Sequence, residues 1–315
     1  MGTRIVAWGS YDESKPRVRL LLQALRDGNA LAAEIHIPVW ASVRDKATAG
    51  GATIAKALVR LVAAYPAALI RLWRQPPGGA VLLGYPAVVD VFAAWPVARL
   101  RGHKILFDAF IPLHDTLVRD RAMAPPDGLA ARLAWKIERR ALTLADIVIV
   151  DTDQHGDFYA AEFGIPRDRF QTVLVGAEPA FWDARKAPSA AAAKGRFTVL
   201  FYGQLIPLHG LDTILDAVRR TQGEPIDWLL VGSGQEEPKL RKFLGEYAGG
   251  NVTWRPWVDY AQLPALIASA DVTLGIFGTS DKAARVIPNK VFQALAAGKP
   301  LITRESPAMA GLAER

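Results

Sequence analysis

Apolar residues along this chain fall into short continuous runs separated by stretches of helical spacing, and the alternation occurs twice. In the first half RIVAWGS, AEIHIPVW, AVLLGYP, HKILFDAF, DIVIVDT and QTVLVG are strand-like. Between them lie RVRLLLQALRDGN, the segment 54–74, VVDVFAAWPVARLRG, ARLAWKIERRALTLA and DQHGDFYAAEFG, with the apolar recurrence of helices. Strands buried on both faces read as uninterrupted apolar runs, and βα alternation predicts a parallel sheet flanked by helices. The pattern stops at WDARKAPSAAAAKGR, residues 182–196, where small, basic and proline residues suit a linker. It then resumes through FTVLFYG, LDTILDAVRR, IDWLLVG, PKLRKFLGEY, NVTWRPWV, AQLPALIASA, DVTLGIFG, NKVFQALAAG and PLITRES. The expected organisation is α/β: one doubly wound domain over 1–182, a linker at 183–196, and a second domain over 197–315. In such sheets ligands sit beyond the carboxyl ends of the strands, and two such domains would form a cleft. A further strand and helix are expected after AMAGLAER, so the second domain reads as truncated.

Composition narrows this picture. About half of the 315 residues are hydrophobic, and there is no cysteine, which excludes disulfides and thiolate metal sites and is compatible with a cytoplasmic location. MGTRIVAWGSY reads as a strand rather than a signal peptide. IAKALVRLVAAYPAALIRLWRQ is the most membrane-like stretch, but Pro66 interrupts an uncharged run already short of the ~20 residues a spanning helix needs.

The net charge of +7 is unevenly placed. Between residues 51 and 104 the bases are Lys56, Arg60, Arg71, Arg74, Arg99, Arg101 and Lys104, against the single acid Asp90. A solvated helix face accounts for this. A patch that rests on an anionic membrane surface, at its inner face, is the sharper alternative. Nucleic acid is a poorer fit, because no binding motif accompanies the charge.

Several end-of-strand positions carry candidate chemistry. GSGQEE, residues 232–237, has Gly232 and Gly234 in G-x-G spacing, but Glu237 stands where a dinucleotide fingerprint needs its third glycine. A tight strand-to-helix turn is the better reading, with both glutamates favourably placed at a helix N-terminus. In IPNKVFQALAAGKPLIT, Pro288 suits a helix start and Gly298 its stop. Lys290 then sits in the first turn, where a cation opposes the helix dipole unless an anion is bound. With Lys282 and Arg285 it puts three cations in one βα loop, which favours an anion site over a solvated basic loop. In the first half Gly9 and Ser10 end the first strand, Arg17 opens the next helix, and Asp108 lies within KILFDAF. His114 and Asp115 follow that strand, where either could take a proton from an acceptor hydroxyl or merely hydrogen-bond the loop. Asp151 to Asp153 are accounted for by N-capping of the following helix, with His155 beside them. Metal ligands at recognisable spacing are lacking.

Together, GQLIPLHGLDTILDA, LLVGSGQEEPKL, NVTWRPWVDYAQLPALIASADVTLGIF and KVFQALAAGKPLIT resemble, in order and spacing, the donor-binding domain of the group 1 GT-B glycosyltransferases. SYDESKPRVRLLLQALRDG and FDAFIPLHDTLVRDR are similar to the N-terminal acceptor domains of bacterial members. The resemblance implies two Rossmann-like domains facing across a cleft. It also implies metal-independent, usually retaining transfer of a hexose from a nucleoside-diphosphate sugar (UDP-, GDP- or another) to a glycan, lipid-linked or small-molecule acceptor. No further cofactor is implied. On this reading Lys290 and Arg285 stabilise the leaving diphosphate, with His114 and Asp115 as the catalytic candidates of the acceptor half. Gly203, Gln204, His209, Gly232, Arg255, Trp257, Lys282, Asn289 and Gln293 contact the donor, and Gly9, Ser10, Arg17 and Asp108 face the acceptor. The chain departs from the family where Gln204 and His209 replace the usual loop Arg and Lys, and where Arg285 and Gln293 replace two glutamates. These departures leave open a non-catalytic glycan- or partner-binding module, and more remotely a sugar-nucleotide epimerase, which shares the fold.

Overall fold

The structure, a computed structural model, describes residues 4–40, 51–120, 123–185 and 195–313. The chain packs as two units, Met1–Leu174 and Val175–Arg315. The division lies upstream of the boundary expected from sequence, because residues 175–182 pack with the second unit. Phe181, on helix Pro179–Ala184, is fully buried there among Leu200, Tyr202 and Val231. The expected linker at 183–196 falls for most of its length outside the described residues.

The first unit holds a sheet of six parallel strands: β1 (Ile5–Gly9), β2 (Leu31–His36), β3 (Ala80–Leu83), β4 (Lys104–Asp108), β5 (Ile147–Val150) and β6 (Phe170–Thr172). Their order is β2-β1-β3-β4-β5-β6, so the winding direction reverses between β1 and β3. β1 shows why its sequence is apolar throughout. Val6 and Trp8 enter the core on one face with Leu61, Leu72 and Val91, while Ala7 packs on the other with Val18 and Leu22. Trp8 also donates its indole N–H to the Ala68 carbonyl at 3.1 Å, so no polar group is left stranded in that core. QTVLVG pairs only as far as Thr172.

The second unit has five parallel strands: β7 (Phe197–Tyr202), β8 (Ile226–Val231), β9 (Val252–Arg255), β10 (Val272–Leu274) and β11 (Leu301–Ile302). Their order, β11-β10-β7-β8-β9, places the reversal between β7 and β10. β7 is central: Val199 and Phe201 meet Ile214, Val218 and Leu240 on one face, and Leu200 and Tyr202 meet Phe181 and Ile267 on the other. In sheets of this topology the crevice outside the carboxyl ends of the strands flanking the reversal is the usual ligand position.

Candidate functional site

At the reversal in the second unit, β7 ends on Gly203 and β10 runs into Gly275. Gly203 has φ +144°, and a Cβ there would lie 3.0 Å from His209 Cε1 and 3.1 Å from Lys290 Nζ. The bare backbone is thus what lets an imidazole and an ammonium close on the strand end. The next turn presses closer: a Cβ on Gly232 would come within 1.8 Å of the Gly203 carbonyl oxygen. His209, buried, donates from Nδ1 to the Gln204 carbonyl, which fixes its tautomer when neutral. Gln204 itself is exposed.

Lys290 is the second residue of helix Asn289–Ala296, which follows Pro288 and stops before Gly298 as its sequence implies. Its ammonium does not project into solvent. The residue is buried, Nζ donates to the Gly275 carbonyl at 3.3 Å, and it lies 4.1 Å from the centre of the Phe201 ring. Among the described residues no carboxylate pairs with it. Burial lowers its pKa from 10.5 to about 7. The conflict visible in sequence, a lysine at the positive end of a helix, is therefore sharpened by folding.

The other expected donor residues divide into those left accessible and those that are not. Arg255 ends β9 and is exposed, as is Trp257 just beyond it. Trp254 is structural: its indole donates to the Gly232 carbonyl at 2.9 Å and Arg241 covers its ring. Lys282 and Arg285 lie half-buried on the short helix Asp281–Arg285, and Asn289 is half-buried at the next helix start. Glu236 and Glu237 start helix Glu237–Glu246 and pair with Lys239 and Arg241, as the G-x-G turn reading requires.

Gln293 corrects an expectation. Rather than presenting its amide to a ribose, it is buried and bonded inside the unit. Tyr202 donates to its oxygen at 3.0 Å, its nitrogen donates to Tyr260 at 2.9 Å, and Tyr260 donates on to Glu178. The amide can bridge two phenols because it both accepts and donates, which a carboxylate cannot do.

The first unit also collects polar groups at its strand ends. Ser10 donates from both its backbone nitrogen and its hydroxyl to one oxygen of Asp90, and Tyr65 donates to the other. Gly9 is pressed against the same carboxylate; a Cβ there would sit 2.5 Å from Asp90 Oδ2. Burial raises the pKa of Asp90 to about 6. Arg17 and Asp108, expected to face an acceptor, instead bury each other: Nε to Oδ1 is 2.7 Å, with both side chains sealed from solvent.

His114 and Asp115 are both buried, just before a π-helical turn at Thr116–Asp120. His114 Nδ1 is 3.8 Å from Glu162, and Arg119 bridges Glu162 and Asp115. The backbone nitrogens of Leu113 and His114 donate to Glu138 at 2.8 Å each, and burial raises the pKa of that glutamate to about 7. Glu138 was not anticipated. The available signal was an acid on the apolar face of its helix, in register with Ala131, Ala134, Ala141 and Leu142.

The helix cap after β5 is Thr152, whose hydroxyl accepts from the backbone of His155 at 3.0 Å. Asp151 instead bonds His155 Nδ1 at 2.6 Å. Thr152→Ala is expected to cost about 1 kcal/mol, read as a lower unfolding midpoint of the first unit.

Residues 196–314 match the family model described as Glycosyl transferases group 1. That match covers most of the second unit, Val175–Arg315. The chain is also similar to the putative colanic acid biosynthesis glycosyl transferase WcaI of Escherichia coli K12, at 29% identity over 109 residues. That match spans 34% of this chain and 26% of the curated relative. Over the whole chain the GT-B fold is shared with solved structures. HepE of Anabaena, in complex with UDP, superposes with TM-score 0.66 at 12% identity, covering 98% of this chain and 82% of that one. The catalytic domain of Arabidopsis thaliana Starch Synthase IV, bound to ADP and acarbose, gives 0.67 at 13%, covering 99% and 84%. Sucrose-phosphate synthase of Thermosynechococcus elongatus gives 0.65 at 17%, covering 96% and 82%.

Proposed function

We propose that the chain transfers a hexose from a nucleoside-diphosphate sugar to an acceptor hydroxyl, without a metal, and that the second unit binds the donor at the β7–β10 reversal. The observation that carries this reading is Lys290, a buried ammonium without a counter-ion among the described residues, held against Gly203 at the strand ends. As the bond from the anomeric carbon to the phosphate oxygen breaks, the diphosphate gains charge. Cations and N–H dipoles already in place lower that barrier, because they need no reorganisation. Lys290, the start of its helix and Arg285 are the groups to supply them, with the His209 imidazole beside Gly203. Trp257 and Arg255 are accessible for the base. The sugar passes to the acceptor oxygen, whose proton goes to a base in the first unit; His114, with Nδ1 unbonded and Glu162 beside it, is the candidate.

A titratable lysine gives the donor site a pH signature. Lys290 is lowered to about 7, so it loses its proton as pH rises through neutrality. A diphosphate binds the protonated form, so binding UDP should take up a proton near pH 7, and affinity should fall as pH climbs to 9. Calorimetry in buffers of different ionisation enthalpy measures that uptake. UDP release from a panel of nucleotide sugars measures turnover.

A non-catalytic GT-B-like binding module is the second reading. It is favoured by the internal bonding of Gln293 at a position where the family has a glutamate. Absence of both nucleotide binding and turnover would favour it.

A further inference from the structure

Helix Gly51–Trp73 is apolar on two sides. Its inner side, with Leu61, Ala68 and Leu72, enters the core of the first unit. Its outer side carries Val59, Val62, Ile70 and Trp73, at helical spacings of 3, 8 and 3 residues, and all four are exposed. Val59 is 69% exposed and Val62 64%. At 1.5 Å per residue the stripe runs about 21 Å. The neighbouring helix Asp90–Leu100, packed against it, also exposes Phe92 and Leu100. Ordinary surfaces carry scattered apolar residues; a continuous stripe of this length marks a contact surface.

Charge identifies the partner. Lys56, Arg60, Arg71 and Arg74 recur at helical spacing along one flank of the stripe. Lys56, Arg60 and Arg74 are exposed and, among the described residues, have no carboxylate partner. Asp90 is the single acid between residues 51 and 104, and it is fully buried beneath Ser10 and Tyr65. Between residues 51 and 104 the described side chains exposed to solvent are therefore apolar, neutral or basic, with no acid among them. Trp73 lies at the end of the stripe beneath the Arg101 guanidinium, 5.2 Å from the ring centre. Tryptophan favours the boundary between headgroup and acyl chain. No helix among the described residues is long and apolar enough to cross a bilayer.

We propose that this face docks the protein on an anionic lipid bilayer, with helix Gly51–Trp73 lying in the interface plane. Val59, Val62, Ile70 and Trp73 enter the acyl boundary, and Lys56, Arg60 and Arg74 meet the headgroups. An amphipathic helix of this kind gains from both terms together, so neither charge nor apolar area alone suffices. The proposal rests on the first unit's surface and is independent of what the second unit binds.

Flotation of the full chain with phosphatidylcholine vesicles, with and without phosphatidylglycerol, tests it. The protein should float only with the anionic vesicles, and less at high salt. Lys56→Gln/Arg60→Gln/Arg74→Gln should lose roughly a hundredfold in partitioning, at roughly fivefold per charge. Val59→Asp/Val62→Asp/Ile70→Asp should abolish flotation even at low salt. All six residues are exposed, so unchanged thermal unfolding should confirm that the variants fold. Quenching of tryptophan fluorescence by brominated lipid should weaken in Trp73→Phe. Equal binding to neutral vesicles, no binding to either, or wild-type flotation by the stripe variant would overturn the proposal. So would a dimer in ultracentrifugation that the stripe variant dissociates while the parent ignores vesicles, because the stripe would then join two copies of the chain.

Discussion

Lys290→Met is expected to make the second unit more stable and the protein far less active. The lysine costs stability because its ammonium is buried, faces the positive end of its own helix and has no carboxylate partner. Burial has already driven its pKa down to about 7. Methionine keeps the length of the stem and its packing on Phe201 while removing the charge. Replacing buried charge by apolar groups of similar volume commonly gains about 1–4 kcal/mol, which should appear as a rise of several degrees in the unit's unfolding midpoint.

The same change removes a preorganised cation from the site where the diphosphate is proposed to leave. Loss of one such group typically lowers turnover about 10²–10³-fold. UDP affinity should fall as well, and proton uptake on binding should vanish. The folded pKa lies below the unfolded value, so the unfolded chain binds more protons between about pH 7 and 10.5, and the penalty from Lys290 shrinks as pH rises through that window. The stability gain of the methionine variant should therefore be largest at or below neutrality and diminish toward pH 10. A variant that is less stable than the parent and still binds UDP would remove Lys290 from the proposed site.

The second large effect is expected in the first unit. Arg17→Met strands Asp108, which is fully enclosed and whose pKa burial already raises even with Arg17 opposite. Removing one partner of a buried ion pair typically costs 3–5 kcal/mol, because the remaining charge is left uncompensated. Arg17 also donates to the Val173 carbonyl at 2.7 Å, so the variant loosens the chain just after β6. Urea unfolding of the first unit should shift accordingly, and Arg17→Met/Asp108→Leu should recover most of the loss. That recovery defines the pair through a double-mutant cycle. If Arg17→Met left stability intact and only raised the KM for an acceptor, the arginine would be a binding residue and the buried pair incidental.

How far the chain could be read before folding differs by level. Element order, two parallel sheets and the glycine-bounded turns follow from local pattern, because the period of apolar residues and the conformational demands at Gly203, Gly232 and Gly298 act within a few residues. The misfit of Lys290 with its helix start was legible for the same reason. Glu138 was not, since its importance comes from two backbone N–H groups more than twenty residues away.

Sequence alone thus determined the α/β class, the twofold repetition of the winding, and a shortlist of polar residues at strand ends. The tertiary structure alone decided which members of that shortlist are enclosed. Arg17 and Asp108 seal one another, Gln293 bridges two tyrosines, and Lys290 folds under Gly203 instead of standing in solvent. The reason is physical. Propensity and periodicity are properties of neighbouring residues, whereas desolvation and ion pairing depend on what distant segments bring to the same few ångströms.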